Sequence, residues 1–147
     1  MRLWHHELIP FLPKSQLLGQ WRELNLIFSK KPNHILINYI YNYPLEHLFS
    51  YTALVALELL NRGYKVNIEK SANFFYKHLD QFHSLYDQIK SEEIFPQHHK
   101  EIFPQHHNAD YLGICFFNLK EKYIRGQKDF DTQTFKKLYD FVVLGRR

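Results

Sequence analysis

The sequence predicts an all-α fold, a compact single-domain helical chain over residues 1–147 with an extended N-terminal arm. Three observations carry this. Apolar residues recur at steps of three and four in several segments. No segment alternates convincingly as a strand would. The 147 residues, 45% hydrophobic and 17% aromatic, suffice for one domain that buries a core without staples.

The elements follow in order. Pro10 and Pro13 discourage a helix before that point, hence the arm. Ser15 is placed to cap a first helix reaching about Phe28, with Leu17, Trp21, Leu24 and Phe28 on one face. Gln16, Gln20 and Glu23 share another. Residues 29–33 read as a loop, and periodicity does not settle 34–43. A second helix spans 45–61 or 62, with Pro44 near its first turn and Gly63 as its left-handed cap. It is apolar on much of its circumference and so central. Ser71 is placed to cap a third helix through about Lys90, with a stripe of Phe75, Leu79, Phe82, Tyr86 and Ile89. A fourth runs from Asn108 to about Arg125, ended by Gly126, with Leu112, Cys115, Phe116, Leu119 and Tyr123 inward. A last helix covers 132–143.

Composition narrows the function classes. A net charge of +4 permits a polyanionic partner without requiring one. The longest apolar run near the middle, 53–60, is too short to span a bilayer and contains Glu58, so no membrane partner is expected. The first seven residues lack an apolar signal core, and the single cysteine, Cys115, can form no internal disulfide. Both point to a reducing, cytoplasmic setting.

The usual catalytic constellations are missing from the sequence. The five glycines stand singly, so no Gly-rich phosphate loop exists, and there is no GxSxG elbow. Cys115, on the apolar stripe of its helix, reads as a buried structural thiol rather than a nucleophile. One eight-residue segment is duplicated: 93–100 (EIFPQHHK) is followed by 101–108 (EIFPQHHN). The plain reading is a local duplication lengthening a loop. The sharper one is a metal site of His98, His99, His106 and His107, against which stand the rarity of adjacent histidines converging on one ion and the lack of HExxH-type spacing. The expectation is no metal and no cofactor.

Two features remain. Glu23, within Trp21-Arg22-Glu23-Leu24, reads from spacing alone as a surface glutamate paired with a neighbour. Lys120, Lys122, Arg125 and Lys128, interleaved with Tyr123 and Phe130, form a basic and aromatic patch. It suits phosphates and bases, and equally suits a helix C-terminus carrying favourable cations.

The segment Gln16-Leu17-Leu18-Gly19-Gln20-Trp21-Arg22-Glu23-Leu24 resembles the first helix of the phage endonuclease V-like pyrimidine-dimer DNA glycosylase family, in its aromatic-Arg-Glu-Leu pattern. Residues 45–64, ending Leu59-Leu60-Asn61-Arg62-Gly63-Tyr64, resemble that family's long central helix. His34 resembles the histidine preceding it. Asn118-Leu119-Lys120-Glu121-Lys122 is similar to the family's C-terminal basic helix, and Met1-Arg2-Leu3-Trp4 to the start of bacterial members. His107-Asn108 leads directly into the matched helix, which marks the first repeat copy as the insertion.

The resemblance implies a bifunctional enzyme that removes a damaged base, then cuts at the abasic site. Its nucleophile is the chain's own α-amine, which forms an imine at the sugar C1′ and makes the C2′ proton acidic. An α-amine has a reference pKa of about 7.7–8.0, so a useful fraction is unprotonated near neutrality. Because Arg2 is bulky, removal of the initiator is not expected, and the amine falls to Met1; were Met1 removed, it would fall to Arg2. Glu23 matches the acid that takes the C2′ proton and stabilises the cationic sugar. Arg2, Gln16, Arg22 and Lys122 match DNA-facing positions, His34 is counted with them, and Lys120 and Arg125 join from the basic patch. Asn118 or its neighbour stands where the phage enzyme has an arginine. The partner implied is damaged double-stranded DNA, bound by a monomer. The alternatives are a glycosylase for another damaged base, and a non-catalytic helical DNA- or protein-binding module on the same scaffold.

Overall fold

The computed structural model describes residues 1–78 and 102–145, and among these the regular structure is entirely helical. The helices are α1 (Lys14–Lys30), α2 (Leu45–Asn61), α3 (Glu69–His78), α4 (Ala109–Ile124) and α5 (Thr132–Val142). Two 3-10 turns, His6–Phe11 and Asn38–Asn42, precede α1 and α2.

The N-terminal arm is built into the core, and its second half winds into the first 3-10 turn. Leu3, Leu8 and Ile9 are fully buried, Trp4, His5 and Leu12 nearly so, and Met1 packs against them. Each fully buried aliphatic side chain contributes about 1.5–3 kcal/mol, so the segment carrying the terminal amine is anchored by several such terms. Pro10 does not prevent helical structure here. It lies inside a 3-10 turn, whose looser demand on backbone donors tolerates it. The His5 Nδ1 accepts the Glu7 N–H at 3.1 Å and so caps that turn.

Helix α1 differs from expectation at its start and in its buried face. Pro13 is the N-cap and offers no side-chain acceptor, while Ser15 lies within the helix. The exposed donor is met from a distance: Ser15 N–H reaches the Asp129 carboxylate at 2.7 Å, and the Ser15 hydroxyl bonds the same oxygen. A carboxylate at a helix N-terminus is also favoured by the macrodipole. The inward column is Leu17, Gln20, Leu24 and Ile27; Trp21 and Phe28 sit half-buried at its edge. Lys31, at φ 46°, ends the helix.

Helix α2 is buried almost all round, continuously from Leu48 to Leu57, as its apolar circumference predicts. It ends as expected. Gly63, at φ 88°, donates to Leu60 O (2.9 Å), and Tyr64 N–H reaches Leu59 O (3.0 Å), the paired bonds of a Schellman motif. Helix α4 repeats the device with Gly126 (φ 84°) and Gln127, and Asn108 caps its start by accepting from Tyr111 N–H at 3.0 Å.

Helix α3 begins at Glu69, not Ser71. The Asn67 carboxamide accepts the Glu69 N–H (3.0 Å), and Ser71 is buried in the first turn, where its hydroxyl donates to Ile68 O. Of the expected stripe, Phe75 is fully buried; Leu79, Phe82, Tyr86, Ile89 and the end at Lys90 lie outside the described residues. In α4, Cys115, Phe116 and Leu119 are buried, and Leu112 and Tyr123 pack against them.

Helices α1, α2 and α3 pack on one another, and α4 packs on α5. The first 3-10 turn contacts both α2 and α5, so the N-terminal segment ties the two groups together. Among the described residues no helix is long and apolar enough to cross a membrane.

Candidate active site

Three of the sequence-predicted residues, Met1, Arg2 and His34, come within electrostatic or hydrogen-bonding reach of the carboxyl of a fourth, Glu23. Glu23, half-buried on α1, accepts the Arg2 backbone N–H, and both the terminal amine of Met1 and His34 act on its charge. Burial pushes the Glu23 carboxyl above its ordinary range; the amine, the Arg2 N–H, the Gln20 amide and His34 pull it back down without cancelling the rise. His34 is fixed by its own backbone: its N–H donates to Asn38 Oδ1 (2.8 Å), and its Nδ1 accepts from Leu36 N–H (3.2 Å).

Gln20 and Tyr51 complete the support, and sequence reasoning missed both. Gln20 is 1% exposed. Its Nε2 donates to Arg2 O (3.1 Å) and Glu23 Oε2 (3.2 Å), and its Oε1 accepts from Trp4 N–H (2.8 Å) and the Tyr51 hydroxyl (2.7 Å). The one available signal was position, since Gln20 lies three residues after Leu17 and four before Leu24, in the buried column of α1.

The Arg2 side chain is held by the protein. Its guanidinium sits 5.8 Å from the Trp4 ring and 5.9 Å from the Tyr111 ring, whose hydroxyl donates to Leu3 O. Beneath it, burial raises the Cys115 thiol, which disfavours the thiolate a nucleophile would need.

The remaining predicted residues lie apart from this site. Arg22 is exposed and lines two open grooves. One is shared with Trp21, Lys30 and Lys70, the other with Lys14 and Lys128. Lys14, Arg22 and Lys30 fall eight residues apart on α1, so Lys14 and Lys30 lie on either side of Arg22, each turned about 80° from it. Gln16 is paired reciprocally with Gln127 (3.1 and 2.8 Å) beside the Ser15–Asp129 contact. That pairing sets the last turns of α4, with Lys120 and Lys122 half-buried and Arg125 ion-paired to Glu121, beside the first turn of α1. Seven residues of helix separate Gln16 from Glu23, roughly 10 Å along the axis.

The second copy of the repeat is built into the core. Ile102 and Phe103 are buried, and His106 stacks on Tyr39 while its Nδ1 lies 2.7 Å from the Tyr43 hydroxyl. His98 and His99 lie outside the described residues. His5, His6 and His107 each bring a ring nitrogen within 4.8 Å of the others. Both nitrogens of His5 are occupied, however: Nε2 donates to His107 O at 2.9 Å, and Nδ1 is the acceptor for Glu7. The cluster therefore fastens the start of the chain to the second repeat copy.

Compared with known proteins, residues 1–72 match the family model described as pyrimidine dimer DNA glycosylase. No curated protein and no solved structure matches.

Proposed function

We propose that this chain, which over residues 1–72 belongs to the pyrimidine dimer DNA glycosylase family, removes a dimerised pyrimidine from duplex DNA and then cleaves the strand at the resulting abasic site, acting as a monomer. The observation that supports the reading is that the Glu23 carboxylate accepts the Arg2 N–H and feels the charge of the terminal amine of Met1.

In this reading the amine attacks the sugar C1′, and the glycosidic bond breaks with its electron pair leaving on the base. The amine loses a proton, and O4′ departs from C1′ as a hydroxyl. The result is a protonated imine at C1′. The Glu23 carboxylate then takes a proton from C2′, and the C3′–O3′ bond breaks with the phosphate as leaving group. Water hydrolyses the imine and frees the amine. Half-burial suits Glu23 to the task, because a carboxylate whose proton affinity is raised is a better base near neutrality. The exposed cations Arg22, Lys14, Lys30, Lys70 and Lys128 are available to phosphates along the two grooves that Arg22 lines, and Lys120, Lys122 and Arg125 extend that charge at the far end of α1.

The test is borohydride reduction during reaction with an abasic-site duplex. A covalent protein–DNA adduct that maps to the terminal amine is expected. Binding with no adduct would leave only a DNA-binding module on this scaffold.

A further inference from the structure

We infer that Gln20 is a positioning residue: its carboxamide holds the segment that carries the terminal amine in fixed register with Glu23. The inference rests on the reading of Met1 and Glu23 just given.

The orientation of the amide is determined by its partners. Oε1 faces the Trp4 N–H, which can only donate, and Nε2 faces the Arg2 carbonyl, which can only accept. A flipped amide would set donor against donor and acceptor against acceptor. With Nε2 so placed, its second hydrogen meets Glu23 Oε2 at 3.2 Å, and the second acceptor site of Oε1 takes the Tyr51 hydroxyl at 2.7 Å. All four hydrogen-bonding positions of one buried side chain therefore face a complementary partner. Three go to the catalytic arm and its acid, and the fourth goes to the central helix.

The geometry of those bonds gives the arrangement its consequence. Arg2 O and Trp4 N–H bracket the short stretch that follows the amine, and Glu23 sits one helical turn beyond Gln20 on α1. The separation of amine and carboxylate is thus set by one amide instead of by the freedom of a chain end. The Tyr51 hydroxyl lies equally close to Trp4 O, at 2.7 Å, so its single proton is shared between that carbonyl and the Gln20 carboxamide oxygen. A buried amide with only a structural role would need its bonds satisfied, but not by the acid. The bond donated to Glu23 stabilises the ionised carboxylate and so acts on its protonation as well as its place.

The experiment uses the full chain with its native terminus on an abasic-site duplex across pH 5 to 8, with cyanoborohydride trapping reading the attack of the amine and single-turnover strand cleavage reading the proton transfer to Glu23. It compares wild type, Gln20→Met and Tyr51→Phe, with duplex affinity measured alongside. Gln20→Met keeps the length and removes every bond. Its trapping rate is expected to fall on the order of 100-fold, the scale of misplacing reacting atoms by about 1 Å. Duplex affinity should stay within about twofold, and the acid limb of the strand-cleavage profile should move upward because the ionised carboxylate has lost a donor. Tyr51→Phe removes only that shared hydroxyl and is expected to show a smaller loss with a limb shift of the same direction; it carries the test if Gln20→Met does not fold. Wild-type trapping by Gln20→Met, or a loss with an unmoved acid limb that follows the unfolded fraction, overturns the inference alone. For Tyr51→Phe, the wild-type rate with an unmoved limb does the same. An absence of adduct in the wild type overturns the reading beneath it, and the inference with it.

Discussion

The imidazole Nε2 of His107 lies 2.7 Å from the hydroxyl of Tyr39, in the interior of the protein. On the other side of the ring, Nδ1 accepts the His6 N–H at 3.1 Å. An Nδ1 that accepts requires the neutral tautomer with its proton on Nε2, so His107 donates to Tyr39. Burial, then the neighbouring His5, His6 and His106, holds the His107 pKa well below 6.5.

That relationship predicts acid sensitivity. A histidine whose folded pKa is depressed leaves stability intact above its unfolded pKa of about 6.5 and loses it as pH falls below that value, because only the unfolded chain can take the proton. The limiting slope is about 1.4 kcal/mol per pH unit for one such group. Urea unfolding of wild type and His107→Gln at pH 7.5 and pH 5.5 checks this. The wild type should lose more stability than the variant over that interval, and parallel losses would remove His107 from the account.

Glu23→Gln separates chemistry from folding. The amide is nearly isosteric and cannot take the C2′ proton, so strand cleavage should fall by about 10²–10⁴-fold, the range for loss of a general base. Duplex binding should be largely preserved. Burial already disfavours the ionised carboxyl, so the melting temperature near pH 7 should stay level or rise, as when a functional site holds a costly charge. Full cleavage by the variant would take Glu23 out of the mechanism.

Extension of the chain at Met1 should be far more damaging than a tag usually is. A preceding peptide turns the amine into a non-nucleophilic amide, and Met1 already packs against the core. An uncleaved N-terminal tag should therefore reduce trapping by at least about 100-fold. Proteolytic removal that leaves Met1 as the first residue should restore it. The check is to compare the tagged protein, the released protein and a C-terminally tagged protein; equal activity in all three would contradict the use of the amine.

Much of the fold was legible because local chemistry decided it. Gly63 and Gly126 occupy left-handed positions that an L side chain strains, and Asn108 offers the acceptor that the first turn of α4 needs, so these boundaries follow from residue type and place. The misses arose where a distant partner did the work. The start of α1 is satisfied by Asp129, more than a hundred residues away, so nothing near Ser15 could reveal that it is not the cap. Gln20 reads as polar and therefore outward until its four partners are known. The second repeat copy reads as loop, yet Phe103 and His107 lie within the aromatic core, where Phe103 N–H donates to His47 Nδ1 (3.0 Å) at a φ of 45°. Glu23 was identified by motif, while spacing alone favoured an ordinary surface acid.

On the proposed function, substitution of Arg22 should separate binding from catalysis. Arg22 lies directly before Glu23 in sequence, yet it is exposed and lines both grooves beside the exposed lysines, while Glu23 turns inward to Arg2 and Gln20. An exposed guanidinium in that position has phosphate as its natural partner, and each phosphate contact contributes about 0.9 to the slope of log affinity against log salt for duplex DNA. Arg22→Ala should therefore weaken binding to damaged and undamaged duplex alike and lower the salt slope by about one contact. The rate of a single turnover at saturating protein should change little. Titrating wild type and variant against both duplexes at several salt concentrations, with single-turnover trapping alongside, decides it. An unchanged slope with a slowed turnover would place Arg22 with Glu23 at the reacting sugar and not on the phosphates.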